Sequence, residues 1–308
     1  MFSITDVSTP NGVVQFREEQ FTGFRCRISP DRSKRHNDHQ AYIPPASENC
    51  PFCRDRIFNV TPEFPDGTRI IRGESVTFPN LFPFGQGHVV TVLTRDHVVD
   101  AFSRQQIADG LHSQMEALLR YDGYPSINWN FLPSAGASQV HPHMQGFSDS
   151  RPSRITDKYL RVSREYRNSH GGNYWDVVKE AEKASDRYLS GEEIVWAAHA
   201  VPIGEREIRG YLPVSSLDQL DPYVDLLAQG ILDVISLYQE LGTYAFNLAV
   251  FFDQSGDDNG FKAFCSIISR INPNPSSTSD SAFMERLHME PVIMTLPEDL
   301  GIYYRKEK

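Results

Sequence analysis

Gly136-Ala137-Ser138-Gln139-Val140-His141-Pro142-His143-Met144-Gln145 is the segment from which the rest of the chain can be read. Residues 139–147 have the composition of a strand. Side chains at i, i+2 and i+4 of a strand share a face. His141, His143 and Gln145 therefore line one side, roughly 6.5–7 Å apart in succession. Pro142 has no N–H to give to a sheet ladder, so the strand must be an edge or must end there. Three polar side chains on one face, after a glycine turn, have the form of a catalytic wall. The alternative is a solvated strand face that happens to hold two histidines.

The flanking pattern is strand, strand, helix, strand, strand. Residues 75–84 and 88–94 are rich in β-branched and aromatic side chains and are broken by Gly85 and Gly87. A helix follows from Ser103, where Ser103 and Gln106 fit a capping box. Ile107, Leu111, Met115 and Leu118 give its apolar stripe. Residues 127–132 and 139–147 complete the set. The same order then recurs: strands at 194–201 and 208–214, a capping box at Ser216 and Gln219, a helix through Val224, Leu227, Ile231, Val234 and Tyr238 to about Gly242, and strands at 245–252 and 262–271. The recurrence suggests a duplicated α+β unit, although this order is common enough to arise by coincidence. Between the copies, residues 152–190 should form two helices broken at Gly171-Gly172, with Tyr159, Val162, Tyr166, Trp175, Val178 and Ala181 as contacts. Residues 272–281 are turn-rich and read as a mobile loop.

The chain of 308 residues carries 30 Lys+Arg against 40 Asp+Glu, a formal net charge of −10. That balance argues against nucleic acid or anionic membrane as a partner, since both reward clustered Lys and Arg. It leaves room for a local basic pocket. An apolar content of 40%, with 19 Phe and 13 Tyr spread along the chain, is enough for a core and unlike a disordered acidic tail. Residues 1–20 lack the pattern of a signal peptide. Apolar runs such as 248–252 are too short to span a bilayer. The expectation is a soluble, cytoplasmic protein. In a reducing compartment, Cys50-Pro51-Phe52-Cys53 suggests metal or redox chemistry more than a structural disulfide. Cys26 and Cys265 read as buried thiols, His88 and His199 as satisfied structural histidines, and His36 and His39 as surface residues within reach of a phosphate.

Gly136-x-Ser138 followed by His141-Pro142-His143-x-Gln145 resembles the active-site segment of the galactose-1-phosphate uridylyltransferase family, within the histidine triad superfamily. Gln145 resembles the transferase and phosphorylase branch; histidine triad hydrolases usually carry a third His there. Ser29-Pro30-Asp31-Arg32-Ser33-Lys34-Arg35 resembles the family's N-terminal arginine segment, Cys50-Pro51-Phe52-Cys53 its metal knuckle, and Phe78-Pro79-Asn80 its base-binding strand. Asp96-His97 sits where a further metal histidine is expected. The resemblance implies an α+β fold made of a duplicated histidine-triad-like unit, an antiparallel sheet with helices packed on it. Residues 1–150 would form the half with the chemistry. Residues 151–308 would form a degenerate half with the inter-half helices and a C-terminal tail.

By that resemblance, Cys50, Cys53, His97 and His141 bind one zinc ion. Two thiolates and two neutral imidazoles make a closed tetrahedral site, normally structural. A redox pair at Cys50 and Cys53 would leave His97 and His141 unexplained. The resemblance makes His143 the nucleophile that takes a nucleoside monophosphate from a nucleotide sugar, as in carbohydrate metabolism, and passes it to a phosphorylated acceptor. Gln145 and Ser138 would donate to phosphoryl oxygens. Arg32 and Arg35 suit a diphosphate because guanidinium presents paired donors; the alternative is a solvated basic loop. Asn80 and Asn130 match positions that contact the nucleotide. A homodimer is possible on the same grounds. The second half departs from the family: it reads Phe264-Cys265-Ser266 where the first has the histidine strand, with Asn247 in the preceding strand. It lacks a histidine cluster, so a second metal is not supported. The family's C-terminal glutamine segment is not recognisable near Glu290. Base, sugar and acceptor stay open. The competing readings are a phosphorylase that uses inorganic phosphate, on a nucleotide sugar or a dinucleoside polyphosphate, and, from another class, a non-catalytic nucleotide-binding zinc module.

Overall fold

The structure is a computed structural model that describes residues 1–10, 12–34, 49–256, 258–271, 280 and 283–307. Arg35, His36 and His39 lie outside the described residues, as does most of the expected loop at 272–281.

The chain opens with three strands, β1 (Phe2–Thr9), β2 (Gly12–Glu19) and β3 (Arg25–Ile28). After the cysteine turn and a short helix, α1 (Ile57–Val60), come β4 (Ile70–Arg72), β5 (Ser75–Pro79), β6 (Gly87–Val92), α2 (Arg104–Leu118), β7 (Tyr124–Phe131) and β8 (His143–Asp149). Two helices follow, α3 (Arg154–His170) and α4 (Tyr174–Lys183). The second run is β9 (Tyr188–Ser190), β10 (Val195–Ala198), β11 (Ile208–Tyr211), α5 (Val224–Glu240), β12 (Phe246–Phe251) and β13 (Phe264–Ser269). The chain ends in α6 (Phe283–Arg286), β14 (Val292–Ile293) and α7 (Pro297–Glu307).

Ten strands form one sheet in the order β4-β5-β6-β8-β7-β12-β13-β11-β10-β9. The order is palindromic in kind: 4-5-6-8-7 meets its counterpart 9-10-11-13-12 at β7 and β12. Those two strands pair antiparallel, with Asn130 opposite Asn247 and Trp129 opposite Leu248. This is the duplicated α+β architecture expected from the sequence. α2 and α5 lie side by side on one face and bury Ile107, Leu111, Met115, Leu227, Ile231 and Val234 in the main core.

The local signals behave as their chemistry requires, with informative exceptions. Ser103 Oγ accepts from Gln106 N at 3.1 Å while Gln106 Oε1 accepts from Ser103 N at 2.9 Å, a complete capping box. The expected box at Ser216 and Gln219 does not form. Residues Leu217–Gln219 make only a 3-10 turn and α5 starts at Val224. Pro222 explains the delay: it has no N–H for a helical bond and would break a helix begun earlier. α3 ends at Gly171, whose φ of 72° is the left-handed C-cap that glycine adopts without strain. Tyr159, Val162, Trp175 and Val178 are buried as expected. Ala181 is exposed, and its neighbour Glu182 is buried instead, held by Arg187 Nε at 2.9 Å.

On the face opposite α2 and α5 the two halves differ. In the second half, α3, α4 and the small sheet β1-β2-β3-β14 cover it. Glu19 of β2 accepts from Tyr159 Oη at 2.9 Å, from Thr22 Oγ1 at 2.8 Å and from Tyr174 Oη. Arg209 of β11 donates to Tyr159 Oη at 2.6 Å and to Glu207 at 2.7 Å. Arg17 reaches Glu298 of α7 at 2.8 Å. All of these except the partly exposed Glu298 are almost sealed, so losing one partner strands the others. Glu19→Ala is expected to destabilise the protein by about 3 kcal/mol, read from the shift in its urea midpoint.

Candidate functional site: a histidine pair beside a Cys2His2 cluster

In the first half the same face carries the residues singled out in the sequence; Phe52 and Ile57 pack on Val76, Phe78, Val90 and Val92, and the face reaches solvent in part at Asn80 and Gln145. β8 lies between β6 and β7, so Pro142 does not mark an edge. It marks an end: the ladder starts at His143, which pairs with Val92, and residues 139–142 lie outside the strand. The pleat then sends Met144 and Gly146 toward α2, leaving His143, Gln145 and Phe147 on the opposite face. Gly146 is required there, since a Cβ would come within 2.0 Å of Gln114 Oε1.

His141, freed from the ladder, serves a different group. Cys50, Cys53, His97 and His141 bring one ligand atom each within 4.8 Å of one another. Cys50 Sγ is 3.8 Å from His141 Nδ1, and Cys53 Sγ is 3.7 Å from His141 Nδ1 and 3.5 Å from His97 Nδ1. Ligands on a tetrahedral zinc, with bonds near 2.0 Å to nitrogen and 2.3 Å to sulfur, stand about 3.3–3.8 Å apart. His141 Nε2 donates to Thr94 O at 2.8 Å, which leaves the Nδ1 lone pair facing the thiols. Burial pushes the His141 pKa down to about 4, favouring the neutral ligand form. The four residues can hold a metal ion, and the donor set fits zinc. Among the described residues there is no second group of this kind.

His143 is 4% exposed, and burial lowers its pKa, so the ring is neutral. Its Nδ1–H donates to the carbonyl of His141 at 2.8 Å. That bond fixes the tautomer and leaves the Nε2 lone pair free. The ring of Phe52, from the turn between the cysteines, lies edge-on at 5.1 Å. A cavity of about 160 Å³ adjoins Phe52, lined by Ile57, Val76, Val92, Arg54 and Arg95 among others.

Not every expected site residue is gathered here. Asn80 is linked to Gln145 through His88: His88 Nε2 is 3.0 Å from Asn80 Nδ2 and 3.0 Å from Gln145 Oε1. Asn130 is exposed, accepts from Asn247 Nδ2 at 2.7 Å, and in the β7–β8 register falls level with His143. Ser138 sits exposed on the turn before His141. Arg32 lies apart, on the 3-10 segment Pro30–Lys34 after β3, whose sheet packs against the second half. His88 is buried and hydrogen-bonded as expected of a structural histidine, and its partner is Gln145 on the face that carries His143. Asn128 went unnoticed; its Nδ2 donates to Gln145 O at 3.3 Å. The place of His88 on that face was legible, since His88, Val90 and Val92 share a face by strand periodicity. His199, read as a satisfied structural histidine, is 1% exposed and neither ring nitrogen has a partner.

The fold has solved counterparts. An ADP-glucose phosphorylase from Arabidopsis thaliana with bound ADP-glucose superposes with a TM-score of 0.75 at 17% identity, covering 95% of this chain and 99% of that one. A galactose-1-phosphate uridylyltransferase-like protein from the same plant gives 0.73 at 17% identity, over 94% and 98% of the two chains. A uridylyltransferase gives 0.69 at 17% identity, over 94% and 97%. These define the class: the chain has the fold that these uridylyltransferase-like and phosphorylase proteins share. Within it, the chain belongs to one family with an uncharacterized protein of Archaeoglobus fulgidus, 30% identical over 310 residues that cover 96% of this chain and 91% of that one. No protein-family model matches the sequence. Among the described residues, no helix is long and apolar enough to cross a membrane.

Purified protein is expected to carry about one zinc per chain, measured by elemental analysis. Cys53→Ser should lose the metal and lower the unfolding midpoint; metal-free wild-type protein with an unchanged midpoint would refute the site.

Proposed function

We propose that the protein is a nucleotidyltransferase of nucleotide-sugar metabolism, acting through a covalent nucleotidyl-histidine at His143. The observation that carries this reading is the His143 imidazole: a buried, neutral ring, tautomer fixed by its bond to the His141 carbonyl, with Nε2 unbonded and Gln145 next to it on the same face. Nε2 attacks the α-phosphorus of a nucleoside diphosphate sugar. A P–N bond forms as the P–O bond to the distal phosphate breaks, and the sugar 1-phosphate leaves. A phosphate oxygen of the acceptor then attacks the same phosphorus, and the electron pair of the broken P–N bond returns to Nε2. Gln145 and Ser138 donate to the non-bridging oxygens, where negative charge must be matched. Asn80 and Asn130 contact the nucleotide; Arg32, set apart on the segment after β3, and Arg35, outside the described residues, are assigned no phosphate contact in this arrangement. Zinc, held by Cys50, Cys53, His97 and His141, would tie the cysteine turn to the strand entrance and take no part in the transfer. Residues 1–150 hold this chemistry, and residues 151–308 form the degenerate half.

A phosphorylase reading, with inorganic phosphate as acceptor, is supported by the fold shared with an ADP-glucose phosphorylase. ADP-sugars are accordingly the first donors to test. Labelled ADP-, UDP- and GDP-sugars should give an acid-labile, base-stable nucleotide adduct that disappears in His143→Ala. No adduct with any of them would refute the nucleophile. Product analysis with phosphate against glucose 1-phosphate or galactose 1-phosphate separates the two acceptors. Gln145→His should raise hydrolysis relative to transfer, measured as the ratio of free nucleotide to transferred product.

A further inference from the structure

We infer that His88 is a positioning residue that fixes which end of the Gln145 amide faces the reacting phosphate. A glutamine amide can present either its NH2 or its carbonyl oxygen, and only the NH2 can bond a phosphoryl oxygen. Something must set that choice.

Two of the three contacts around His88 assign its tautomer. Phe84 N–H points at Nδ1 at 3.3 Å, so Nδ1 accepts and carries no proton. The proton of the neutral ring is then on Nε2, where it donates to Gln145 Oε1 at 3.0 Å. Asn80 Nδ2, also 3.0 Å from Nε2, meets that proton donor to donor and gains no bond from this tautomer; its Oδ1 accepts from Phe82 N at 2.9 Å. The opposite tautomer would set Nδ1–H against Phe84 N–H. The ring is 4% exposed and packed under Phe84 at 4.1 Å, so it cannot turn to escape these contacts.

The strand register gives the direction. Val92 is opposite His143, Val90 opposite Gln145, and His88 opposite Phe147. His88 thus lies one pleat beyond Gln145, away from His143. It draws Oε1 away from the nucleophile and turns the NH2 toward it. The second half repeats the arrangement with other chemistry. Ser266 sits between Arg209 and Ala249 as Gln145 sits between Val90 and Asn128. Glu207, two residues before Arg209, corresponds to His88, and Ser266 Oγ donates to it at 2.8 Å. Both halves pin this position from the same place. Only the first uses a donor, and so leaves a donor pointing outward.

The inference deepens the proposed reaction and rests on it for kinetics, but not for its spectroscopic test. In nitrogen-15 spectra of the intact wild-type protein, His88 should show a protonated Nε2 and an unprotonated Nδ1. A protonated Nδ1 would overturn the inference whether or not the protein transfers nucleotides. His88→Phe keeps the ring packing and removes the donor. With ADP-glucose or UDP-glucose, whichever forms the His143 adduct, it should slow adduct formation about tenfold, the worth of one hydrogen bond, with donor affinity unchanged. His88→Gln, which carries an amide N–H at similar reach, should recover most of that rate. Because His88 acts through Gln145, His88→Phe should cost less than twofold in a Gln145→Ala background. Losses that multiply in the double variant, or a wild-type rate in His88→Phe, would overturn the inference. Absence of any adduct in wild-type protein counts against the reaction alone.

Discussion

The bond from His143 Nδ1–H to the carbonyl of His141 is the constraint on which the site depends. It decides which nitrogen of His143 keeps a lone pair. It holds only while His141 keeps its backbone carbonyl turned to the ring. His141 is held from three sides: its Nε2 binds Thr94 O, its Nδ1 faces the two thiols, and Pro142 restricts the backbone between the two histidines. Proline also lacks the donor that would have drawn residue 142 into the ladder. One residue type thereby ends the strand, frees His141 for the cysteines, and starts the strand again with His143 facing away from α2. The cluster and the nucleophile are two consequences of the same backbone event.

The duplication shows two treatments of such a face. In the second half the equivalent surface is closed by α3, α4 and the small sheet, and it is filled by Glu19, Arg209, Glu207 and the tyrosine hydroxyls. Those groups satisfy one another internally, as buried charges must. On this face of the first half, the Gln145 NH2 and His143 Nε2 lack an internal partner among the described residues. Polar groups left unmatched in an otherwise consistent fold are where a ligand is expected.

Much of this could be read before any coordinates. The shared face of His143 and Gln145, the capping box at Ser103 and the break at Gly171 depend only on neighbouring residues; His141, expected on that face, leaves it for the cysteines because the strand starts after Pro142. The failures have nonlocal or competing causes. Ser216 and Gln219 carry the pattern of a cap, but Pro222 overrides it one turn later. Ala181 fits the apolar stripe of α4, yet the buried side chain is Glu182, because Arg187 is present to neutralise it. Arg32 could not be placed from sequence, since its position depends on β3 pairing with β14, some 260 residues away in the chain. The small sheet itself had a readable signal in the alternation of β1 and in Pro10-Asn11-Gly12. The link from His88 to Gln145 was missed for another reason: a lone histidine on a strand does not show which partner it faces until the register is known.

The net charge of −10 gives these tautomers their importance. A dianionic diphosphate gains nothing from the field of an acidic chain. On the proposed reaction, a neutral imidazole attacking an anionic phosphorus centre would have to overcome repulsion from the phosphoryl oxygens alone. Groups turned toward those oxygens set that barrier, and their sign matters more than their number. An amide turned the wrong way replaces a donor with an acceptor and reverses its contribution. In a site that draws on neutral groups, protons held on chosen nitrogens do the work that fixed positive charges do elsewhere. His143 keeps its proton on Nδ1 and His88 keeps its proton on Nε2, each through a backbone group. Two backbone groups just before adjacent strands, the His141 carbonyl and the Phe84 N–H, thereby set the orientation of the two imidazoles.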